Sequence, residues 1–283
     1  MTQTFRIGVV APASPLDPSV IDRTQGLVRE LYPGGGVEVV FHPQCLEVFG
    51  HFAGDDDRRA GAFLDYANDD GFDAVWFGRG GYGSCRMVDA VLAGLTSAAW
   101  GKAYLGYSDM GTLLAALYGR GFSRVAHGPM ASDLNRRGGA AAVARALSFL
   151  VEGAESSLEP SVSADGPPTA AFNITILAHL MGSPLLPDLT GHVLMLEEVG
   201  EYLYRMDRDL CQITGNAALA GVAGIRLGRC SDIPDNQPDF GQSEEEVMAH
   251  WCRRSGIPYL GRADIGHDVA NKVVPFGRWP ARP

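Results

Sequence analysis

The chain has 283 residues, of which 46% are hydrophobic and 20% are charged. This balance excludes an intrinsically disordered protein, because enough apolar side chain is available to build a core. The formal net charge of -10 disfavours nucleic acid as a partner, since a phosphate backbone would be repelled. The apolar stretches fall far short of the roughly 20 residues that cross a bilayer, and the N-terminus lacks the apolar segment of a secretory signal. We therefore expect a cytoplasmic protein without a membrane span.

Short β-rich runs alternate with helical patterns over the first 130 residues. The predicted strands cover Phe5–Val10, Val37–Phe41, Ala74–Phe77 and Ala103–Tyr107. The predicted helices cover Ser19–Tyr32, Asp55–Asn68, Ser84–Leu92 and Asp109–Tyr118. Four successive units of a strand and a helix predict an α/β domain with a parallel sheet covered by helices.

A segment rich in Ser, Glu, Pro and Gly separates this part from the rest of the chain. We predict an N-terminal α/β domain over residues 1–152, a linker over 153–169, and a smaller C-terminal mixed α+β domain over 170–283. In the second domain the pattern predicts helices at Ile174–Met181, Tyr204–Thr214 and Ser243–Ser255. Strands are predicted there at His192–Leu196, Val222–Leu227 and Pro258–Leu260.

The five cysteines and seven histidines give no sign of a metal site. The cysteines are widely spaced without a C-x-x-C pair, and no H-E-x-x-H motif occurs. We therefore expect no metal, no cofactor and no disulfide framework.

A glycine-rich loop, Gly78–Gly83, matches the pattern G-x-G-x-x-G between a predicted strand and a predicted helix. A dinucleotide site would also need an acidic residue roughly 20 positions further on, but residues 98–102 contain none. Three interpretations remain open: a dinucleotide site, a structural turn, and a loop that presents backbone N–H groups to an anionic ligand or oxyanion. The last is favoured.

Ser108 lies where a predicted buried strand turns into a helix. This position resembles a nucleophile elbow, although the motif G-x-S-x-G would need a glycine where Met110 stands. A Ser-Asp pair before a helix is also a common helix cap, so the residues alone leave both interpretations open.

A nucleophilic serine needs a base and a group that orients the base. Among the histidines, His267 stands out because it lies in a glycine-punctuated loop after a predicted strand. Carboxylates are supplied by Glu197, Glu198 and Glu201 at the end of another strand, where a solvated strand end would explain them equally well. Strand alternation places Glu197 and Glu198 on opposite faces, so only one of them can share a site with His267. Spacing alone does not choose between them.

Seven motifs, taken in chain order, resemble those of the LD-carboxypeptidases, a serine peptidase family that includes the microcin C immunity peptidases. They are Ala11–Ser14, Phe52–Gly54, Arg79–Gly83, Gly106–Asp109, His127–Met130, Leu196–Glu201 with Arg205 and Asp207–Arg208, and Gly266–His267. The resemblance therefore extends over nearly the whole chain.

The resemblance implies that Ser108 is the nucleophile, His267 the general base and Glu197 the carboxylate that orients it, with the active site in a cleft between two domains. It implies a homodimer and a murein tetrapeptide substrate, cut in the cytoplasm between meso-diaminopimelate and D-alanine during peptidoglycan recycling.

Four residues of the motifs Arg79–Gly83 and Gly106–Asp109 are expected to bind the substrate or the oxyanion. We expect the N–H groups of Asp109 and Gly81 to hold the oxyanion. Arg79 is the candidate for the terminal carboxylate, with a surface ion pair as the equal alternative, and Tyr82 is a second candidate substrate-binding residue.

Three other functions remain open at this stage. The chain could be an immunity peptidase that cleaves a peptidyl- or aminoacyl-nucleotide, a nucleotide-binding oxidoreductase that uses Gly78–Gly83, or a catalytically silent binding module.

Overall fold

The structure, a computed structural model, describes residues 4–278 and is built around two β-sheets. The strands are β1 (Phe5–Val10), β2 (Val37–Phe41), β3 (Ala74–Phe77), β4 (Ala103–Gly106), β5 (Val125–His127), β6 (Thr169–Asn173), β7 (Val193–Val199), β8 (Gly224–Ser231), β9 (Tyr259–Arg262) and β10 (Val274–Pro275). The α-helices are α1 (Ser19–Leu31), α2 (Asp56–Ala67), α3 (Ser84–Gly94), α4 (Gly111–Gly119), α5 (Gly139–Glu152), α6 (Ile174–Leu180), α7 (Leu203–Gly215) and α8 (Glu244–Ser255).

The larger sheet has six strands in the order β10-β5-β4-β3-β1-β2. Strands β1 to β5 run parallel, and β10 pairs antiparallel with β5. Every residue of β3 and β4 is buried, as expected for a parallel sheet with helices on both faces. Side chains of α2, α3 and α4 pack in one apolar core, and those of α1 and α5 pack in another. The predicted parallel α/β architecture is confirmed.

The smaller sheet consists of four parallel strands in the order β6-β7-β8-β9. Helices α6, α7 and α8 cover one face, and their apolar side chains belong to the same core as those of α2 to α4. Because β10 returns to the larger sheet, the two halves of the chain are joined by a shared core and by a shared sheet.

Several elements differ from the sequence-based prediction. The four strands and four helices of the first part occur close to their predicted bounds, except that a short helical turn, Ser108–Met110, precedes α4. Elements β5, α5, β6 and β10 were not predicted: β5 and β10 have only three and two residues, too few for a periodic pattern. The residue bounds of the two domains stay a prediction.

No helix within residues 4–278 has both the length and the apolar character needed to cross a membrane.

Candidate active site

Ser108 lies in the short turn between β4 and α4, at the carboxyl edge of the larger sheet. Its backbone has a φ of 63°, the left-handed region that a residue with a side chain seldom adopts. Strained residues of this kind cluster at functional sites, where the surrounding structure fixes them. The sharp turn places the Ser108 side chain at the sheet edge, half-buried, where a group from the other half of the chain can reach it.

The second half of the chain brings an imidazole and a carboxylate to this serine. The Nε2 atom of His267 lies 3.0 Å from Oγ of Ser108, and its Nδ1 atom lies 2.5 Å from Oε2 of Glu197. Glu197 is fully buried, and only 8% of His267 is exposed. An Nδ1–H that donates to the carboxylate leaves Nε2 free to accept the hydroxyl proton of Ser108.

Glu198, the neighbouring acid, has a different set of partners. Its Oε2 atom accepts hydrogen bonds from N and Oγ1 of Thr175, at 2.9 and 2.8 Å. Its Oε1 atom accepts from Nδ2 of Asn173 and from the N–H of Val199. Glu198 therefore ties the end of β7 to the start of α6, and strand alternation places Glu197 alone beside His267.

The protonation of His267 is set by two opposing effects. Burial by itself would lower its pKa, but the negative charge of Glu197 and the hydrogen bond to it outweigh burial. The result is a pKa raised above the ordinary 6.5. The pairing thus makes the imidazole a stronger base than it would be alone.

The loop that carries His267 is anchored by two arginines. Arg229 of β8 forms ion pairs with Asp264 and Asp268, on either side of the histidine. Arg145 of α5 donates from Nη1 to the backbone carbonyls of Val269 and Asn271, at 3.1 and 2.8 Å. One anchor comes from each half of the molecule.

A third anchor is the fully buried side chain of Asn271. Its Oδ1 atom accepts from the N–H of Gly266 at 3.2 Å and contacts Nε2 of His127 at 3.1 Å. Burial lowers the pKa of His127 to about 4, so this ring is neutral and its Nε2–H donates to Asn271. The residue before His267 is thereby connected to β5 of the larger sheet.

The glycine loop lies directly against the serine. A Cβ atom at Gly80 would lie 2.9 Å from Cβ and 3.0 Å from Oγ of Ser108, so only glycine fits there. Gly81 has a φ of 124° and its backbone approaches the side chain of Ser14, so a side chain would be excluded for both reasons. Arg59, a fully buried residue, anchors the end of the loop, because its Nη1 donates to the carbonyls of Pro12 and Gly83.

Asp109 has a structural side chain. Its Oδ2 atom accepts from the N–H of Ser84 at 2.9 Å, at the start of α3, and its carbonyl accepts from Oγ of Ser84. Burial raises the pKa of the Asp109 carboxyl above its ordinary value. The side chain thus joins the turn after Ser108 to α3, while the backbone N–H of Asp109 belongs to the first turn of the helical segment that begins at Ser108.

Arg79 and Tyr82 lie on the exposed side of the glycine loop. Arg79 donates from Nη1 to the carbonyl of Pro15 at 2.8 Å, and within residues 4–278 it has no carboxylate partner. Tyr82 is 53% exposed, and its ring lies beside those of His51 and Phe52. Both side chains are accessible to a ligand at this edge of the sheet.

The residues that position the site were not predicted as such from the sequence. These are Arg59, Gly80 as a contact of Ser108, His127, Arg145, Arg229 and Asn271. Of these, His127 and Gly80 carried a signal in the sequence, since each belongs to a motif of the resemblance. Among the described residues, no group of three or more His, Cys, Asp or Glu side chains could hold a metal ion.

A hydroxyl, an imidazole and a buried carboxylate connected in this way have the geometry of a serine hydrolase triad. Comparison with protein families agrees with that class. Residues 7–128 match the LD-carboxypeptidase N-terminal domain, and residues 169–280 match the LD-carboxypeptidase C-terminal domain. The chain belongs to the LD-carboxypeptidase family, peptidase family S66, and the resemblance inferred from its motifs is confirmed.

Curated relatives match along almost the full chain. A putative carboxypeptidase of Streptomyces coelicolor is 31% identical, covering 96% of this chain and 88% of the relative. The murein tetrapeptide carboxypeptidase of Pseudomonas aeruginosa is 26% identical, covering 96% of this chain and 91% of that protein.

Solved structures show the same fold. The muramoyltetrapeptide carboxypeptidase of Oxalobacter formigenes superposes with a TM-score of 0.80 at 26% identity, covering 96% of this chain and 92% of the other. MccF in complex with glutamyl sulfamoyl guanosine superposes with a TM-score of 0.79 at 16% identity, over 98% and 92% of the two chains. The second likeness concerns the fold alone.

Proposed function

We propose that this protein is a serine carboxypeptidase that releases D-alanine from murein tetrapeptide, by hydrolysis of its bond to meso-diaminopimelate. The observation that supports this most strongly is the continuous connection from Ser108 through His267 to Glu197. Relatives whose names specify murein tetrapeptide support the choice of substrate.

The first half of the reaction forms an acyl-enzyme. His267 Nε2 takes the hydroxyl proton of Ser108 as Oγ attacks the carbonyl carbon of the L-centre of diaminopimelate. The C–N bond then breaks, and His267 gives the proton to the departing amine of D-alanine. Glu197 holds the imidazole tautomer and stabilises its transient positive charge.

The second half of the reaction releases the tripeptide. Water replaces D-alanine, and His267 removes a proton from it as the water oxygen attacks the ester carbonyl. The bond between Ser108 Oγ and the acyl carbon breaks, and the proton returns to the serine. No atom of the enzyme is changed over the cycle.

The negative oxygen of each tetrahedral intermediate needs donors near Ser108. The backbone N–H of Asp109 and that of Gly81 are our candidates, since Gly80 contacts Ser108 and Gly81 is the next residue of the loop. Each such donor is worth roughly 3 kcal/mol in comparable sites.

Arg79 is our candidate for binding the terminal carboxylate of the substrate, because it has no carboxylate partner within residues 4–278. Tyr82 is our candidate for a further substrate contact. A cytoplasmic location and a homodimer also remain predictions, to be tested by cell fractionation and by sedimentation.

The direct test is release of D-alanine from purified murein tetrapeptide, followed with a D-amino acid oxidase assay. Wild type is expected to release one D-alanine per peptide, and Ser108→Ala to lower the rate by at least about a thousandfold. Ser132→Ala is the matched control, because the backbone N–H of Ser132 donates to the carbonyl of Gly78 in the glycine loop and the substitution keeps this hydrogen bond. An inactive wild type or an active Ser108→Ala variant would refute the proposal.

A parallel assay, in which chromatography follows release of the nucleotide product, separates the peptidase from an immunity peptidase. A peptidyl- or aminoacyl-nucleotide is offered in parallel, and the substrate with the higher kcat/KM identifies the function. We expect the tetrapeptide to be preferred.

A further inference from the structure

A polar pocket of about 420 Å³ lies between helices α6 and α7, and the mechanism above uses none of its residues. We call it the α6–α7 pocket. It is lined by Tyr204 and by six polar or charged residues: Thr175, His179, Glu201, Arg205, Arg208 and Asp209. A pocket with so little apolar surface and with charges of both signs favours a small charged ligand over an apolar one.

The α6–α7 pocket lies close to the proposed triad. Thr175, on its wall, donates to Glu198, the residue that follows Glu197 in β7. The next residue of α6, Ile176, lies 3.2 Å from the position of a Cβ atom at Gly111, three residues after Ser108. The pocket therefore lies near the carboxyl end of β7, as the triad does, but on the face of β7 that carries Glu198 rather than Glu197.

Two of the charges in the pocket already have partners. Arg205 donates from Nη1 to Oε1 of Glu201 at 3.2 Å and from Nε to the hydroxyl of Tyr204 at 3.0 Å. This guanidinium is therefore partly neutralised, while Oε2 of Glu201 is free of that ion pair.

Arg208 and Asp209 lack ion-pair partners within the described part of the chain. Asp209 has a single long hydrogen bond, 3.4 Å from Oγ1 of Thr175, and Arg208 lies over the ring of Tyr204. The pocket thus offers one guanidinium and one carboxylate that are both open to a ligand.

The ligand that fits such a pair carries a carboxylate and an ammonium on the same carbon. A carboxylate can accept two parallel hydrogen bonds from a guanidinium, and an ammonium can donate to one or two carboxylates. A ligand with one charge only would leave a charged group of the pocket unpaired, which weakens binding.

We propose that the α6–α7 pocket binds the free amino-acid head group at the end of the diaminopimelate side chain. Arg208 binds its carboxylate, and Asp209 with Glu201 binds its ammonium. The inference rests on the proposed function, because that substrate has a second amino-acid centre three methylene groups away from the scissile centre. Lysine ends in an ammonium without a carboxylate, so the pocket selects diaminopimelate over lysine.

Binding to the Ser108→Ala variant, which does not turn the peptide over, isolates recognition from chemistry. Calorimetry compares two tetrapeptides, one with meso-diaminopimelate and one with lysine at the third position. We expect the diaminopimelate peptide to bind about tenfold to a hundredfold more tightly, as for a charged hydrogen-bonded pair. Adding Arg208→Gln should abolish this preference by weakening the diaminopimelate peptide alone, whereas Asp209→Asn should weaken both peptides. Arg253→Gln, an exposed arginine of α8, should change neither.

The outcomes separate the pocket from the proposed function when wild-type D-alanine release is measured alongside. If wild type releases D-alanine but Arg208→Gln weakens both peptides equally or neither, the pocket assignment is wrong and the function stands. If wild type is inactive while Arg208 still sets the preference, the function is wrong and the pocket stands. If neither peptide is bound or cut, both are wrong.

Discussion

The loop of the serine and the loop of the histidine are positioned in different ways. Ser108 is positioned mainly by the backbone, through its own left-handed φ of 63° and through the glycine loop, which packs against the serine at Gly80. The loop of His267 is positioned mainly by side chains, because Arg229, Arg145 and Asn271 each bind a different part of it. The position of Ser108 thus depends on local geometry, whereas that of His267 depends on contacts between residues distant in sequence.

This difference indicates how each half responds to substitution. A change in the glycine loop acts by steric exclusion at short range and affects the serine directly. A change in an anchor of the histidine loop leaves the serine in place but moves its partner, so rate is lost while binding is retained. Four tests, in order of decreasing expected effect, examine this contrast.

The two neighbouring glutamates give the largest expected difference. Glu197→Gln should lower kcat by roughly a thousandfold or more, because an amide favours the wrong tautomer of His267. Glu198→Gln should retain most of the rate and instead lower the free energy of unfolding by about 1–3 kcal/mol, since it disturbs a buried set of hydrogen bonds. D-alanine release and thermal denaturation of both variants measure this. An inactive Glu198→Gln variant beside a fully active Glu197→Gln variant would reverse the assignment.

Gly80→Ala tests the main-chain side of the contrast. A Cβ atom 2.9 Å from Cβ of Ser108 forces the serine or the loop to move, and we expect kcat/KM to fall roughly a hundredfold. Gly61→Ala is the matched control, because a Cβ atom there has no neighbour within 4 Å, and it should keep the wild-type rate. Steady-state kinetics on the tetrapeptide measure kcat/KM for both variants. Equal values would show that the close approach at Gly80 does not matter for activity.

Asn271→Ala tests whether side-chain contacts position the loop of His267. It removes the hydrogen bonds to Gly266 and His127, so His267 loses one anchor. We expect kcat to fall roughly tenfold to a hundredfold with little change in KM. Asn216→Ala removes a hydrogen-bonded asparagine from a helix start away from the cleft, and its kcat should stay at the wild-type value. A change in KM alone for Asn271→Ala would contradict a positioning role.

The pH profile gives the smallest effect. A general base must be neutral to accept a proton, and Glu197 raises the pKa of His267 above 6.5. Activity should therefore fall as pH decreases through a midpoint above 6.5, measured as kcat/KM between about pH 5 and about pH 9. In Glu197→Gln the raising effect is lost and burial remains, so the midpoint of the residual activity should move down. A midpoint that rises or stays fixed would mean that Glu197 does not set this pKa.

The elements that position Ser108 could be predicted from the sequence better than the contacts that position His267, because the former have local patterns and the latter do not. Strands β1 to β4, with the helices that follow them, have clear periodic patterns, and they place Ser108 and the glycine loop at one sheet edge. Strand alternation limited the carboxylate to one of Glu197 and Glu198, but which face of β7 meets the larger sheet depends on tertiary packing. The anchors Arg145, Arg229 and Asn271 lie far apart in sequence and have no local pattern that could identify them.

Labelling with a fluorophosphonate probe tests most directly whether groups from both halves of the chain activate one serine. We predict that wild type is modified at Ser108, located by mass spectrometry of the digested protein, and that Ser108→Ala is not modified. In His267→Gln and Glu197→Gln the labelling rate should fall by at least about a hundredfold while both proteins remain folded. Labelling at another residue, or an unchanged rate in His267→Gln, would contradict the account.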